Sequence, residues 1–75
     1  MPKHNEIIEV KRGVHKIMDS ETLTPEQRVG ELESFGFQQF AHSGNSDGYR
    51  NVYWMGDFLL VANARDGYWH LYCGV

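Results

Sequence analysis

The chain has one cysteine, two prolines and no aromatic residue before Phe35. A single thiol excludes an internal disulfide and suits a reducing compartment better than an oxidising one. No cluster of His and Cys has the spacing of a zinc site. Long apolar runs are missing too. No stretch approaches the roughly 20 apolar residues that a membrane-spanning helix needs. The opening MPKHNEIIEVK carries charge but no apolar core of a signal peptide. Positive charge is in deficit, with seven Lys and Arg against ten Asp and Glu and a net charge of −3. Nonspecific nucleic-acid binding depends on neutralising phosphates, so nucleic acid is not expected as a direct partner. The acids are interleaved with Lys and Arg, which gives no strong DNA mimicry either. The expectation is a cytoplasmic protein with no cofactor, no metal and no membrane association.

Seventy-five residues make one expected domain, 1–75. A chain this short buries a modest share of its surface and needs help from disulfides, metals, oligomerisation or a dense aromatic core. Aromatics are 13% of the chain, and all ten lie between Phe35 and Tyr72. Twelve of the seventeen charged residues lie before Phe35. A charged helical half is therefore followed by an aromatic β half.

In the first half Ile7, Val10, Val14, Ile17 and Met18 fall on one helical arc, with Glu9, Arg12 and Lys16 opposite. The spacing predicts a helix over 4–19. Gly13 interrupts it, since a mid-helix Gly costs about 1 kcal/mol relative to Ala. The rival is a hairpin of IIEV and VHKI around Lys11, Arg12 and Gly13. The second helix has a clearer start in TPEQRVGELESFGF. Thr24 can N-cap, Pro25 suits the first position and Gln27 completes a capping box. Val29, Leu32 and Phe35 are expected inward, with Gly36 ending the helix through a positive φ. DSETL, residues 19–23, joins the two helices.

From Phe37 the apolar period changes to two. FQQFAH, YRNVYWM, FLLVANA and YWHLYC read as strands separated by SGNSDG, Gly56-Asp57 and Arg65-Asp66-Gly67. The expected fold is α+β, with two N-terminal helices packed on one face of a three- to four-stranded antiparallel β-meander over 37–74. A two-residue Gly56-Asp57 loop pairs Met55 with Phe58 and places Val52, Trp54, Leu59 and Val61 on one face. A three-residue Arg65-Asp66-Gly67 loop then puts Trp69, Leu71 and Cys73 beside them. Tyr68, His70 and Tyr72 join Tyr53 on the other face. A two-residue Asp66-Gly67 turn reverses that assignment for the last strand. The three-residue version separates Trp, Val, Leu and Cys from Tyr, His and Asn. Which face the helices cover stays open.

His70 and Cys73 are three apart in a strand, so they point to opposite faces and form no joint site. Cys73 is expected as a small core hydrophobe. His4 and His15 read as surface histidines. His42 has no second His or carboxylate placed beside it, so no triad is arguable. The loop HSGNSDGYR could cradle a phosphate with Arg50 nearby, but it lacks a following helix and reads as a hairpin loop. The acids from Glu21 to Glu33 read as a solvated helix face.

Tyr49, Asn51, Tyr53, Tyr68, His70 and Tyr72 remain as a broad amphipathic surface that two short helices cannot all cover. Exposed aromatic area of that kind marks contact sites. The function expected is that of a small non-enzymatic module that binds a larger protein and regulates or inhibits it. A homodimer is a further use of the same surface. Size and composition are those of accessory proteins from phages and mobile elements that block host machinery such as a nuclease or a CRISPR defence complex. The alternative is a small RNA- or DNA-binding protein, a weak nuclease-type toxin. The short helix, GFQQF and the following histidine resemble small bacterial RNA-cleaving toxins in outline, without their basic character.

Overall fold

The computed structural model describes residues 3–40 and 50–74. Helix α1 runs from His4 to Met18 and buries Val10, Val14, Ile17 and Met18, the arc expected from the spacing. Its last backbone bond runs from the Asp19 amide to the His15 carbonyl at 2.9 Å. The hairpin alternative around Gly13 is thereby excluded. Gly13 lies within the unbroken helix and has a packing reason to be glycine. A Cβ built there would lie 2.3 Å from Phe35 Cε2, so only glycine lets the ring lie against α1.

Helix α2 runs from Pro25 to Phe35 and starts with the full capping box. The Gln27 amide donates to Thr24 Oγ1 at 3.2 Å, and the Thr24 amide donates to Gln27 Oε1 at 2.9 Å. It ends at Gly36, whose φ of 128° turns the chain. The Phe37 amide then donates to the Leu32 carbonyl at 3.1 Å, a Schellman-type closure. Phe35 departs from its expected inward position. It stays partly exposed and stacks on Phe37 with ring centroids 6.0 Å apart.

The strands are β1 (Gln38–Gln39), β2 (Arg50–Met55), β3 (Phe58–Asn63) and β4 (Tyr68–Cys73), in one antiparallel sheet of order β1-β2-β3-β4. The α+β meander read from the change of period is the fold observed. At the first tight turn Met55 pairs with Phe58, as a two-residue Gly56-Asp57 loop requires. Gly56 takes φ 57° and no described non-glycine residue has a positive φ, the pattern of a type II′ hairpin.

The second turn differs from the sequence reading. Asn63 pairs with Tyr68, so Ala64 to Gly67 form a four-residue loop rather than three. The Asn63 side chain accounts for the extra residue. Its Oδ1 accepts from the Arg65 amide at 3.0 Å and the Asp66 amide at 3.3 Å, an Asx turn that takes Ala64 out of the strand. The Gly67 amide donates to the Asn63 carbonyl at 2.9 Å, and Gly67 adopts φ 78°. Outside the loop, the two terminal guanidinium nitrogens of Arg28, Nη1 and Nη2, donate to the Ala64 and Ser20 carbonyls, each at 2.7 Å. One side chain thus ties α2 to the linker after α1 and to the β3–β4 turn.

One added residue changes the parity of the pairing and moves every side chain of β4 to the other face. Trp69, Leu71 and Cys73 lie with Tyr53, Phe58, Leu60 and Ala62, not with Trp54. The helices cover that inner face, with α1 over β4 and α2 over β1. Its core is Val10, Val14, Ile17, Met18, Leu32, Phe37, Tyr53, Phe58, Leu60 and Ala62. Cys73 is half-buried at the margin of this core, on the inner face.

Candidate functional site

With the helices on the inner face, no described element packs on the outer one. Its side chains follow from the register. Gln38, Trp54, Leu59 and Tyr72 form one cross-strand row. The Phe40 amide donates to the Val52 carbonyl at 2.9 Å, so Phe40, Val52, Val61 and His70 form a second. Arg50, Asn63 and Tyr68 form a third. Phe40, Trp54, Tyr68 and Tyr72 are 47%, 39%, 57% and 46% exposed. Val52, Leu59 and Val61 are half-buried between them. The His70 and Tyr72 rings tilt together with centroids 4.4 Å apart. Arg50 carries the one permanent charge in these rows.

The residues expected to share a contact surface therefore divide. Tyr68, His70 and Tyr72 are exposed on the outer face. Asn51 and Tyr53 are buried beneath the helices on the inner face. They are packing residues, and their assignment to one surface with Tyr68, His70 and Tyr72 is corrected by the β3–β4 register. Tyr49 and the phosphate-cradle reading of residues 42–49 lie outside the described residues.

Tyr53 is the core's polar exception. Its side chain is fully buried and its hydroxyl has no hydrogen-bond partner. Burial pushes the phenol pKa above its ordinary 10.0; the Asn51 side chain lowers it in part, and the Glu33 carboxylate raises it. That Asn51 influence falls short of hydrogen-bond geometry, which leaves the hydroxyl unsatisfied.

Phe40, Trp54 and Leu59 are outer-face residues that sequence reasoning did not group with Tyr68, His70 and Tyr72. Trp54 and Leu59 pair directly across β2 and β3, as the two-residue Gly56-Asp57 loop requires. The expected register of the fourth strand hid that grouping, because it makes theirs the dry face. The signal that could have found it is Asn63, a residue poor in strands and good at starting turns.

Two other features lie on the helical side of the molecule. His15 Nδ1 lies 2.8 Å from Asp19 Oδ2, and the imidazole meets the Trp69 ring edge-on at 4.7 Å. The pair is exposed and closes the end of α1. Between α1 and α2 a groove of about 510 Å³ is lined by apolar Ile17, Leu23 and Phe35 and by charged Lys16 and Glu31. Among the described residues, no three His, Cys, Asp or Glu side chains come together as a metal site.

No family model, curated protein or solved structure matches the chain. Among the described residues, no helix is long and apolar enough to cross a membrane.

Proposed function

We propose that the chain is a small binding module that docks on a larger protein through the outer face of its sheet, and regulates or inhibits that partner. The observation that carries this reading is the contiguous, nearly charge-free area of Phe40, Val52, Trp54, Leu59, Val61 and Tyr72, opposite the helices, on which no described element packs. Water gains nothing from contact with that area, and a monomer rarely keeps so much of it exposed without use. Trp and Tyr give large, rigid contact area at small entropic loss, which is why they anchor interfaces. Arg50 and His70 offer polar contacts beside the apolar rows. A nucleic-acid partner is disfavoured by the same inventory, because one permanent positive charge neutralises few phosphates. By analogy of size and composition alone, the partner class is host machinery such as a nuclease or a CRISPR defence complex.

The test is affinity capture with the native chain and with Trp54→Glu and Tyr72→Glu, each checked for an unchanged circular dichroism spectrum. The expected result is a protein recovered by the native chain and lost by both folded variants. Recovery of the same protein by all three would refute the outer face as its contact surface.

A further inference from the structure

The sheet has two edges, and they differ. The β1 edge is two residues long, and both are exposed glutamines. Short polar edges are a common guard against strand pairing. The β4 edge is six residues long, YWHLYC, with no charge, no proline and no bulge in its pairing with β3. Nothing on that strand prevents another strand from adding to it.

The backbone pattern fixes what such an addition looks like. The Gly74 amide donates to the Asp57 carbonyl at 2.9 Å, directly across the ladder. Hydrogen-bonded pairs alternate in an antiparallel ladder, so Tyr72, His70 and Tyr68 also turn their backbone groups toward β3. Trp69, Leu71 and Cys73 turn theirs outward, to the free edge. Among the described residues, no hydrogen bond reaches that edge.

We propose that this edge pairs with the β4 edge of a second copy of the chain, antiparallel and centred on His70. An antiparallel pair requires outward-turned residues to face one another. Trp69 then stands opposite the second copy's Leu71, and Leu71 opposite its Trp69, exchanging the free amides and carbonyls. On the outer face Tyr68 meets the second copy's Tyr72, Tyr72 meets its Tyr68, and the two His70 side chains are adjacent. Aromatic–aromatic and aromatic–aliphatic pairs are the cross-strand combinations that stabilise sheets. The strand is thus a fitting partner for itself in this register, and charge does not oppose the pairing. The chain carries a net charge of −3, yet residues 67–74 hold no Asp, Glu, Lys or Arg, so two β4 strands meet without like-charge repulsion. Paired residues share a face, so the two sheets join into one, with all helices on one side and both outer faces continuous. The pairing does not depend on the protein-docking reading. A dimer that docks no partner and a monomer that does are separately observable.

The test uses sedimentation equilibrium of the full chain together with a single-cysteine cross-link. The native chain is expected to sediment at twice 8.7 kDa at high concentration and to dissociate on dilution. His70→Lys places two ammonium groups at the centre of the pairing on an exposed position, and is expected to leave a folded monomer. His70→Cys in a Cys73→Ser background is expected to oxidise to a covalent dimer. Adjacent residues of a non-hydrogen-bonded pair have Cα atoms about 4.5 Å apart, within disulfide reach. A control Lys3→Cys in the same background is expected to cross-link far more slowly. A native chain that stays monomeric at every concentration overturns the proposal. A dimer that survives His70→Lys while His70→Cys cross-links no faster than the control overturns it equally.

Discussion

Trp54 and Trp69 stand on opposite faces of the same sheet. Trp69 is half-buried against the core and in edge contact with His15, whereas Trp54 is open on the outer face. The two tryptophans should therefore respond differently to truncation. Removing a fully buried Trp costs about 3–5 kcal/mol. For half-buried Trp69→Ala we expect about 2 kcal/mol, which lowers the melting temperature of a chain this size by roughly 8–16 °C. Trp54→Ala should shift it by only a few degrees. Thermal melts of the two variants check this, and equal shifts would contradict the face assignment.

Tyr53 buries a hydroxyl that bonds to nothing. An unsatisfied buried polar group costs about 1–3 kcal/mol, so Tyr53→Phe should leave stability unchanged or raise it. Tyr53→Ala should cost about 3–5 kcal/mol by opening a cavity. The pH dependence has a definite sign. The folded-state pKa lies above the ordinary 10.0, so the folded chain holds this proton more tightly than the unfolded chain. The contribution is whole below pH 10.0 and is lost as pH rises from there through the folded pKa. Urea titrations of native chain and Tyr53→Phe should converge less well above that pH, the native chain falling more steeply.

Gly13 and Phe35 form a second coupled pair. In an ordinary helix Gly→Ala gains about 1 kcal/mol. Here the added methyl would meet the Phe35 ring at 2.3 Å, so Gly13→Ala should destabilise, by about 1–3 kcal/mol. In a Phe35→Ala background the same substitution should stabilise. The reversal of sign in a double-mutant cycle is the readout.

Arg28 joins three segments through the Ala64 and Ser20 carbonyls. Hydrogen bonds from a charged donor contribute about 1.5–3 kcal/mol each, reduced here by partial exposure. Arg28→Ala should therefore cost about 2–3 kcal/mol in a denaturant titration. Arg28→Lys should recover less than half of that, because an ammonium cannot reproduce the planar fork. Full recovery by Lys would show that charge alone matters at this site.

Most of the fold was legible because its signals are local. The arc of Val10, Val14 and Ile17, the Thr24 capping box, the Gly56-Asp57 hairpin and the switch of period at Phe37 each sit within a few residues. The make-up of the outer face was not, because it depends on a non-local count of residues in one turn. Reading Ala64 as strand shifted Tyr68 by one partner and exchanged the faces of Trp69 and His70. Asn63 decides that count through side-chain bonds to Arg65 and Asp66, which residue spacing does not display. The role of Gly13 was hidden for a similar reason, since its partner ring lies on the other helix.

The outer face as contact surface is tested most directly by calorimetric titration of the captured partner. Trp54→Ala and Tyr72→Ala are compared with Lys11→Ala, an exposed position on α1 away from the sheet's outer face. Truncating an aromatic anchor at an interface centre commonly costs about 2 kcal/mol or more, roughly a thirtyfold loss of affinity. The account predicts that loss for both aromatic variants and native affinity for Lys11→Ala. Native affinity in both aromatic variants, with binding lost in Lys11→Ala, would contradict it and move the contact surface to the helices.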